Sequence, residues 1–137
     1  MDTEGFLSPT DIQSVQSAYD ELAGAAQTVV RETARAMAFD PEEFDERVTT
    51  DVVMTVHDAL FASLLDVRIG TVEEFDAWLD EHDYEVRRVG GENVDNVVWH
   101  VAPVDNLVVA ATFQRERDAA IATLRRQAWG QIYREKL

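Results

Sequence analysis

Two short apolar runs near the end of the chain constrain its fold most strongly. Val97–Ala102 and Leu107–Phe113 are rich in β-branched and aromatic residues, and Pro103–Asn106 lies between them as a typical turn. This pattern predicts a hairpin in which Ala102 pairs with Leu107. Because side chains alternate between the two faces of a strand, both faces of this hairpin would be largely apolar. Each face must therefore be covered by a second layer, or one of them stays exposed as an apolar patch.

One further strand is predicted before this hairpin. Tyr84–Val89 alternates apolar and polar residues, which indicates a half-buried or edge strand, and Gly90-Gly91 follows it as a turn. The sequence therefore predicts a three-stranded antiparallel sheet over residues 84–113.

Helical patterns precede and follow the predicted sheet. Four N-terminal helices are expected, one or two of them short, because capping residues such as Ser8, Asp40, Thr49 and Thr71 stand before apolar residues at helical spacing. These helices fall within residues 8–22, 25–39, 50–65 and 71–83, with a short helical turn near Phe44. The helix at 50–65 has the widest apolar face and is expected to be the most buried. A long C-terminal helix is predicted over 114–136.

These elements predict a single α+β domain over residues 1–137. It would consist of a flexible tail at 1–7, a helical part at 8–83, antiparallel strands at 84–113 and the C-terminal helix. A chain of 137 residues is long enough to bury one hydrophobic core. The absence of cysteine excludes disulfides and thiolate chemistry. No apolar run is long enough to span a membrane and no secretory leader is recognisable, so a cytoplasmic protein without membrane contact is expected.

The charge balance favours an origin in a salt-rich cell. The chain has 27 acidic and 12 basic residues, for a net charge of −15, and Lys136 is its single lysine. A dense carboxylate surface keeps a protein hydrated in molar salt, where the Debye length is about 3 Å and mutual repulsion is screened. These charges are interspersed among apolar residues, unlike those of a disordered acidic tail. The pattern is typical of halophilic proteins.

The cations are concentrated near the C-terminus, where two interpretations remain open. The five arginines of the C-terminal segment could pair with neighbouring acidic helices, which is the simpler interpretation; they are Arg115, Arg117, Arg125, Arg126 and Arg134. Alternatively, Arg125, Arg126, Trp129 and Tyr133 could form a binding surface, since Arg and aromatic residues are enriched at interface hot spots. A nucleic-acid ligand is not expected, because the acidic body of the chain would repel phosphates.

The remaining candidate residues lie in the hairpin. Val97, Trp99 and Val101 share one apolar face, which is a candidate interface if no helix covers it. His100 lies on the opposite face and is expected to be a hydrogen-bonded core histidine. The alternative is that His100 lines a pocket as a ligand or general base. No other pattern indicates catalytic, cofactor-binding or metal-ligating residues, and no cofactor is expected.

Several segments resemble a small family of uncharacterised haloarchaeal proteins. They are Val29–Ala34, Asp58–Leu64, Val98–Pro103, Val108–Phe113 and Ala122–Gly130. The resemblance implies a halophilic source and carries no catalytic or binding residues with it.

Two functions are consistent with these observations. The first is a non-catalytic module that acts through protein association, either with a partner or as a homodimer. The second is a small-molecule-binding protein or enzyme with a pocket around His100. A winged-helix DNA-binding protein would have similar elements, but the chain lacks a basic recognition helix.

Overall fold

In a computed structural model that describes residues 1–137, the chain forms a five-stranded mixed sheet with helices on both faces. The strands are β1 (Asp2–Glu4), β2 (Val67–Thr71), β3 (Glu85–Val89), β4 (Asn96–Ala102) and β5 (Leu107–Phe113). The helices are α1 (Ile12–Glu21), α2 (Ala23–Ala36), α3 (Pro41–Arg47), α4 (Thr50–Leu64), α5 (Val72–Asp80) and α6 (Arg117–Ala128). The strand order across the sheet is β1-β2-β4-β5-β3.

The predicted three-stranded antiparallel sheet is therefore wrong, as is the uninterrupted set of N-terminal helices. Strand β2 lies between α4 and α5 and pairs antiparallel with β4, with Arg68 opposite Trp99. Its five residues include Gly70 and end at Thr71, which is the N-cap of α5. The sequence pattern there therefore predicts the start of a helix and gives no sign of a strand. Strand β1 forms within the segment predicted as a tail, and it pairs with β2. Its sequence, Asp-Thr-Glu, carries no β pattern.

Strand β3 differs from the prediction in its direction and its neighbour. It runs parallel to β5, with Glu85 opposite Leu107 and Val89 opposite Ala111, at the edge of the sheet. The chain then passes β5 to reach β4, so Gly90-Gly91 does not form a hairpin. Gly90 has a φ of 106°, and a side chain there would collide with Oγ1 of Thr112. This close approach explains the glycine.

The predicted hairpin of β4 and β5 is confirmed, including the pairing of Ala102 with Leu107. Both of its faces are buried. One face, which includes Val98 and Val109, packs against α1, α4 and α6, and Leu124 of α6 lies in this contact. The other face lies under α5, where Phe75 and Trp78 cover an apolar cluster. The sheet is thus enclosed between two helical layers.

Helix α4 is less buried than its apolar face suggests. Phe61 is the residue of α4 that is fully buried, whereas Val52 is 39% and Met54 is 52% exposed. The first half of α4 packs against α2, which contributes the small buried residues Ala26 and Ala34. The prediction that this helix is the most buried one is therefore wrong, because its first half packs against α2 alone and stays partly exposed.

The C-terminal segment begins as α6 at Arg117 and changes its winding after Ala128. Trp129–Tyr133 forms a π-helical turn, and Arg134–Lys136 a short 3₁₀ turn. In a continued α-helix, Tyr133 would point about 140° away from Ala128. The π turn closes one residue later, so that Tyr133 lies over Ala128 and faces the sheet. Both residues are fully buried. No helix in the structure is both long and apolar enough to cross a membrane.

Candidate functional site

An open groove of about 500 Å³ lies between α4 and the C-terminal segment. Its walls carry three arginines and one tryptophan together with small and polar side chains. The lining residues are Thr55, Asp58, Ala59, Ala62, Ser63, Ala122, Arg125, Arg126, Trp129 and Arg134. The alanines of both helices leave the space between the walls open, because none of them extends beyond Cβ. The groove is the place where most of the predicted C-terminal binding residues meet.

The three arginines of the groove have no carboxylate partner within 4.0 Å. Nε of Arg125 donates a hydrogen bond to the carbonyl oxygen of Leu65 at 3.0 Å, which holds that side chain against the end of α4. Arg126 and Arg134 are exposed. Three guanidinium groups against the single carboxylate of Asp58 make the groove a local site of positive charge in a chain of net charge −15.

Among the five C-terminal arginines, Arg117 is the one with carboxylate partners, and these lie on a strand and not on an acidic helix. Its guanidinium lies 3.2 Å from Asp2 and 3.7 Å from Glu4, both in β1. Arg115 has no carboxylate within 4.0 Å, as is also the case for the three arginines of the groove. Acidic residues are abundant on this chain, yet they do not neutralise the groove.

Asp58 is held on the α4 wall by a neighbour from α1. The hydroxyl of Tyr19 donates a hydrogen bond to Oδ1 of Asp58 at 2.6 Å. Burial raises the pKa of Tyr19, and the Asp58 carboxylate raises it further. The ring of Tyr19 stacks on His57 with the centroids 3.6 Å apart, and Nε2 of His57 lies 2.6 Å from the carbonyl oxygen of Tyr19. His57 is thus part of a helix contact, and Asp58 keeps an oriented carboxylate at the groove.

Trp129 is half-buried at the base of the groove. Its ring lies 5.5 Å from that of Phe61 and 6.1 Å from that of Tyr19, measured between centroids. These contacts hold the indole in place while part of it still lines the groove. An aromatic surface fixed beside guanidinium groups can bind an apolar side chain next to an anionic one.

His100 belongs to a buried hydrogen-bonded chain and not to the groove. Its Nδ1 lies 2.6 Å from the carbonyl oxygen of Asp66 and 3.2 Å from Oδ1 of the same residue. Its Nε2 lies 2.5 Å from the hydroxyl of Tyr133. The side chain is 1% exposed. With Nδ1 donating to Asp66, Nε2 accepts from Tyr133, so both ring nitrogens are occupied. The arrangement matches a hydrogen-bonded core histidine.

Tyr133, which lies in the C-terminal segment, is the last member of this series of hydrogen bonds. Burial raises its pKa, and the nearby carboxylates of Asp66 and Asp105 raise it further, so its hydroxyl stays protonated. Asp105 in turn binds the single lysine, whose Nζ lies 2.9 Å from Oδ1 of Asp105. Lys136 also donates to the carbonyl oxygen of Ile132 at 3.0 Å. These contacts anchor the C-terminal segment to the turn between β4 and β5.

The structure separates the predicted interface residues into two groups. Val97 and Trp99 are fully buried under α5, and Val101 is 9% exposed, so this part of the sheet is not a free surface. Arg125, Arg126 and Trp129 meet in the groove, while Tyr133 turns into the core. The predicted set omitted Arg134 and Asp58. No group of three or more His, Cys, Asp or Glu side chains converges on a metal-sized site.

Two residues of the groove escaped the sequence interpretation for different reasons. Arg134 follows the π turn, and its position relative to Arg126 cannot be derived from regular helical spacing. Asp58 lies on a different helix, so only the packing of α4 against α6 brings it near the arginines. The one available signal was the cluster of arginines itself, which is compatible with ion pairs as well as with a binding site.

Comparison with known proteins identifies the family and adds no activity. Neither the curated proteins nor the solved structures contain a match to the chain. Residues 6–134 match a family described as a family of unknown function, DUF5809. The match confirms that the chain belongs to an uncharacterised family, whereas a haloarchaeal source stays a prediction. Because the matched region spans nearly all of the sequence, the chain is a member of this family of unknown function.

Proposed function

We propose that the protein is a non-catalytic association module whose groove binds an acidic segment of a partner protein. The observation that supports this proposal is the convergence of Arg125, Arg126 and Arg134 around Trp129, without carboxylate partners. A guanidinium group binds a carboxylate through two parallel hydrogen bonds, and the indole offers a surface for an apolar neighbour. A Glu- or Asp-containing segment with one apolar residue would satisfy both features.

The shape of the groove fits a binding role better than a catalytic one. It is open along the surface, and its one carboxylate, Asp58, already accepts a hydrogen bond from Tyr19. No histidine lines it, and His57 is engaged with Tyr19. An enzyme of the second class, with a pocket around His100, would need a free ring nitrogen facing a cavity. The buried and fully bonded His100 offers no support for that alternative.

Reversal of charge in the groove is expected to weaken binding of an acidic peptide. The probe is a fluorescently labelled synthetic peptide rich in Glu with one Leu, and its affinity is measured by anisotropy. We expect Arg126→Glu and Arg134→Glu each to weaken binding by about tenfold or more, which corresponds to about 1.4 kcal/mol. Each variant replaces an attractive carboxylate contact by repulsion.

The matched control is Arg115→Glu, which changes the net charge equally at an exposed arginine outside the groove. It should leave the affinity within about twofold, because a distant surface charge is screened by salt. A version of the peptide with Gln in place of Glu tests the need for carboxylates. Equal loss of affinity in all three variants, or equal binding of both peptides, would contradict a groove that recognises acidic segments.

We also propose that the protein works in the salt-rich cytoplasm of a halophile. The support is the charge of −15 and the presence of one lysine. Twenty-seven carboxylates on a small surface repel one another at low ionic strength, and salt screens this repulsion. We expect the melting temperature to rise steadily as KCl is increased from about 0.1 M to about 2 M, as measured by circular dichroism. An unchanged melting temperature over this range would contradict the proposal.

A further inference from the structure

The outer edge of β3 is the longest open edge of the sheet. Strand β3 pairs with β5 alone and has no neighbour on its other side. The side chains of Glu85, Arg87, Arg88 and Val89 are exposed, while Val86 packs partly against the α5-side cluster. Neither Glu85 nor Arg87 has an oppositely charged partner within 4.0 Å. The edge thus offers free backbone groups and two unpaired charges of opposite sign.

The direction of the free backbone groups follows from one hydrogen bond. The backbone N–H of Glu85 donates to the carbonyl oxygen of Asn106 at 3.1 Å, so the backbone groups of Glu85 face β5. In a strand, the backbone groups of successive residues point alternately to opposite sides. Those of Arg87 therefore also face β5, whereas those of Val86 and Arg88 face away from the sheet and are free to pair.

A second β3 can pair antiparallel with this edge, and one of the possible registers also pairs its opposite charges. Residues with outward backbone groups must lie opposite each other, and a twofold axis at Val86 places Val86 opposite its own equivalent. In this register, Glu85 lies opposite the partner's Arg87, and Arg87 lies opposite the partner's Glu85. These two residues form non-hydrogen-bonded pairs, in which side chains approach most closely. The register therefore creates two symmetric Glu–Arg pairs and no like-charge pair directly across the strands.

We propose that the protein forms a homodimer in which the two β3 edges join the sheets of both copies. The junction gives two inter-strand hydrogen bonds at the Val86 pair and about four more where Arg88 of each copy lies opposite the partner's Tyr84. Charged side chains usually keep edge strands apart. Here the two charges have opposite signs and occupy facing positions, so they favour one register instead. This surface is separate from the groove of α4 and α6, so neither proposal depends on the other.

The test measures molar mass by light scattering in about 1 M KCl, where repulsion between the acidic bodies is screened. We expect wild type to be a dimer. Glu85→Arg and Arg87→Glu should each raise the dissociation constant about tenfold or more, because each places like charges opposite one another at both symmetric positions. The double variant Glu85→Arg with Arg87→Glu exchanges the charges within each pair and should restore the dimer.

Hydrogen exchange provides an independent check on the backbone pairing. The amides of Val86 and Arg88 should become protected as the protein concentration rises through the dissociation constant, whereas that of Glu85 is protected in the monomer as well. Circular dichroism should show that all variants are folded, and Arg115→Glu serves as a control of equal charge change that keeps the dimer. A monomeric wild type overturns the proposal. A dimer that survives both single reversals, or a double variant that stays monomeric, overturns it as well.

Discussion

Replacement of Trp99 by Ala is expected to lower the free energy of unfolding by about 3–5 kcal/mol, the range for removal of a buried large aromatic side chain. Trp99 is fully buried, and its ring lies 5.0 Å from Phe75 and 6.0 Å from Trp78 between centroids. Truncation would leave a cavity between the sheet and α5, which a nine-residue helix cannot fill by a small shift. Chemical denaturation at fixed KCl concentration gives the loss directly.

Two further variants make this measurement decisive. Trp99→Phe should cost clearly less, since it retains a ring and removes an indole N–H that has no hydrogen-bond partner. Trp129→Ala should also destabilise less, because Trp129 is only half-buried, while it should weaken binding of the acidic peptide. Near wild-type stability of Trp99→Ala would contradict the burial of the sheet face under α5. An equal loss in Trp129→Ala would contradict the half-buried position of Trp129.

Tyr133→Phe is expected to cost about 1–3 kcal/mol, which is large for the loss of one oxygen atom. The ring still fills its place beside Phe61, but Nε2 of His100 loses its one hydrogen-bond donor and remains buried. A buried polar atom without a partner bears its full desolvation cost. The free energy of unfolding should be measured by urea denaturation at neutral pH, under the same salt conditions for all variants.

A double-mutant cycle separates this hydrogen bond from packing. His100→Leu also costs stability, because it leaves the Tyr133 hydroxyl and the Asp66 carbonyl without their partner. The combination of His100→Leu with Tyr133→Phe should be less destabilising than the sum of the single changes, by about 0.5–3 kcal/mol. Additive effects would mean that the two side chains do not share a hydrogen bond. Unchanged stability in each single variant would contradict the buried hydrogen bonds among Asp66, His100 and Tyr133.

The parts of the fold that were predictable depend on local patterns. The β4–β5 hairpin lies within one stretch of sequence, and its alternation determines which residues share a face, so its register was predicted correctly. The capping box of Thr71 and Glu74 likewise marks the start of α5 and is present in the structure. Both features involve residues a few positions apart. Local backbone geometry allows such residues few arrangements, so the sequence pattern is enough to predict the contact.

The parts that failed depend on partners distant in sequence. The direction of β3 is set by Leu107–Ala111 beyond the intervening β4, and nothing in Glu85–Val89 specifies a parallel neighbour. Strand β1 exists because β2 offers it backbone hydrogen bonds, not because Asp-Thr-Glu prefers a strand.

The candidate site was predictable to a similar extent. The clustering of Arg125, Arg126 and Trp129 follows from their proximity on one helix, and they do share a surface. Regular α-helical spacing groups Tyr133 with them. The π turn carries it into the core, and the sequence contains no clear sign of that change in winding. The sequence leaves open whether a helix covers the Trp99 face, because the packing of α5 on that face is a long-range contact.

The two edges of the sheet are unequal, and this inequality limits how large an assembly can become. At the β1 edge, the last strand has only three residues, two of them acidic, and Arg117 draws Asp2 and Glu4 toward α6. So short a strand gives an added neighbour little to pair with. Growth by strand pairing is thus confined to the β3 side. In the proposed dimer, neither copy has another extended edge to offer, so assembly would stop at a finite pair, whereas a sheet with two open edges would continue into a fibre.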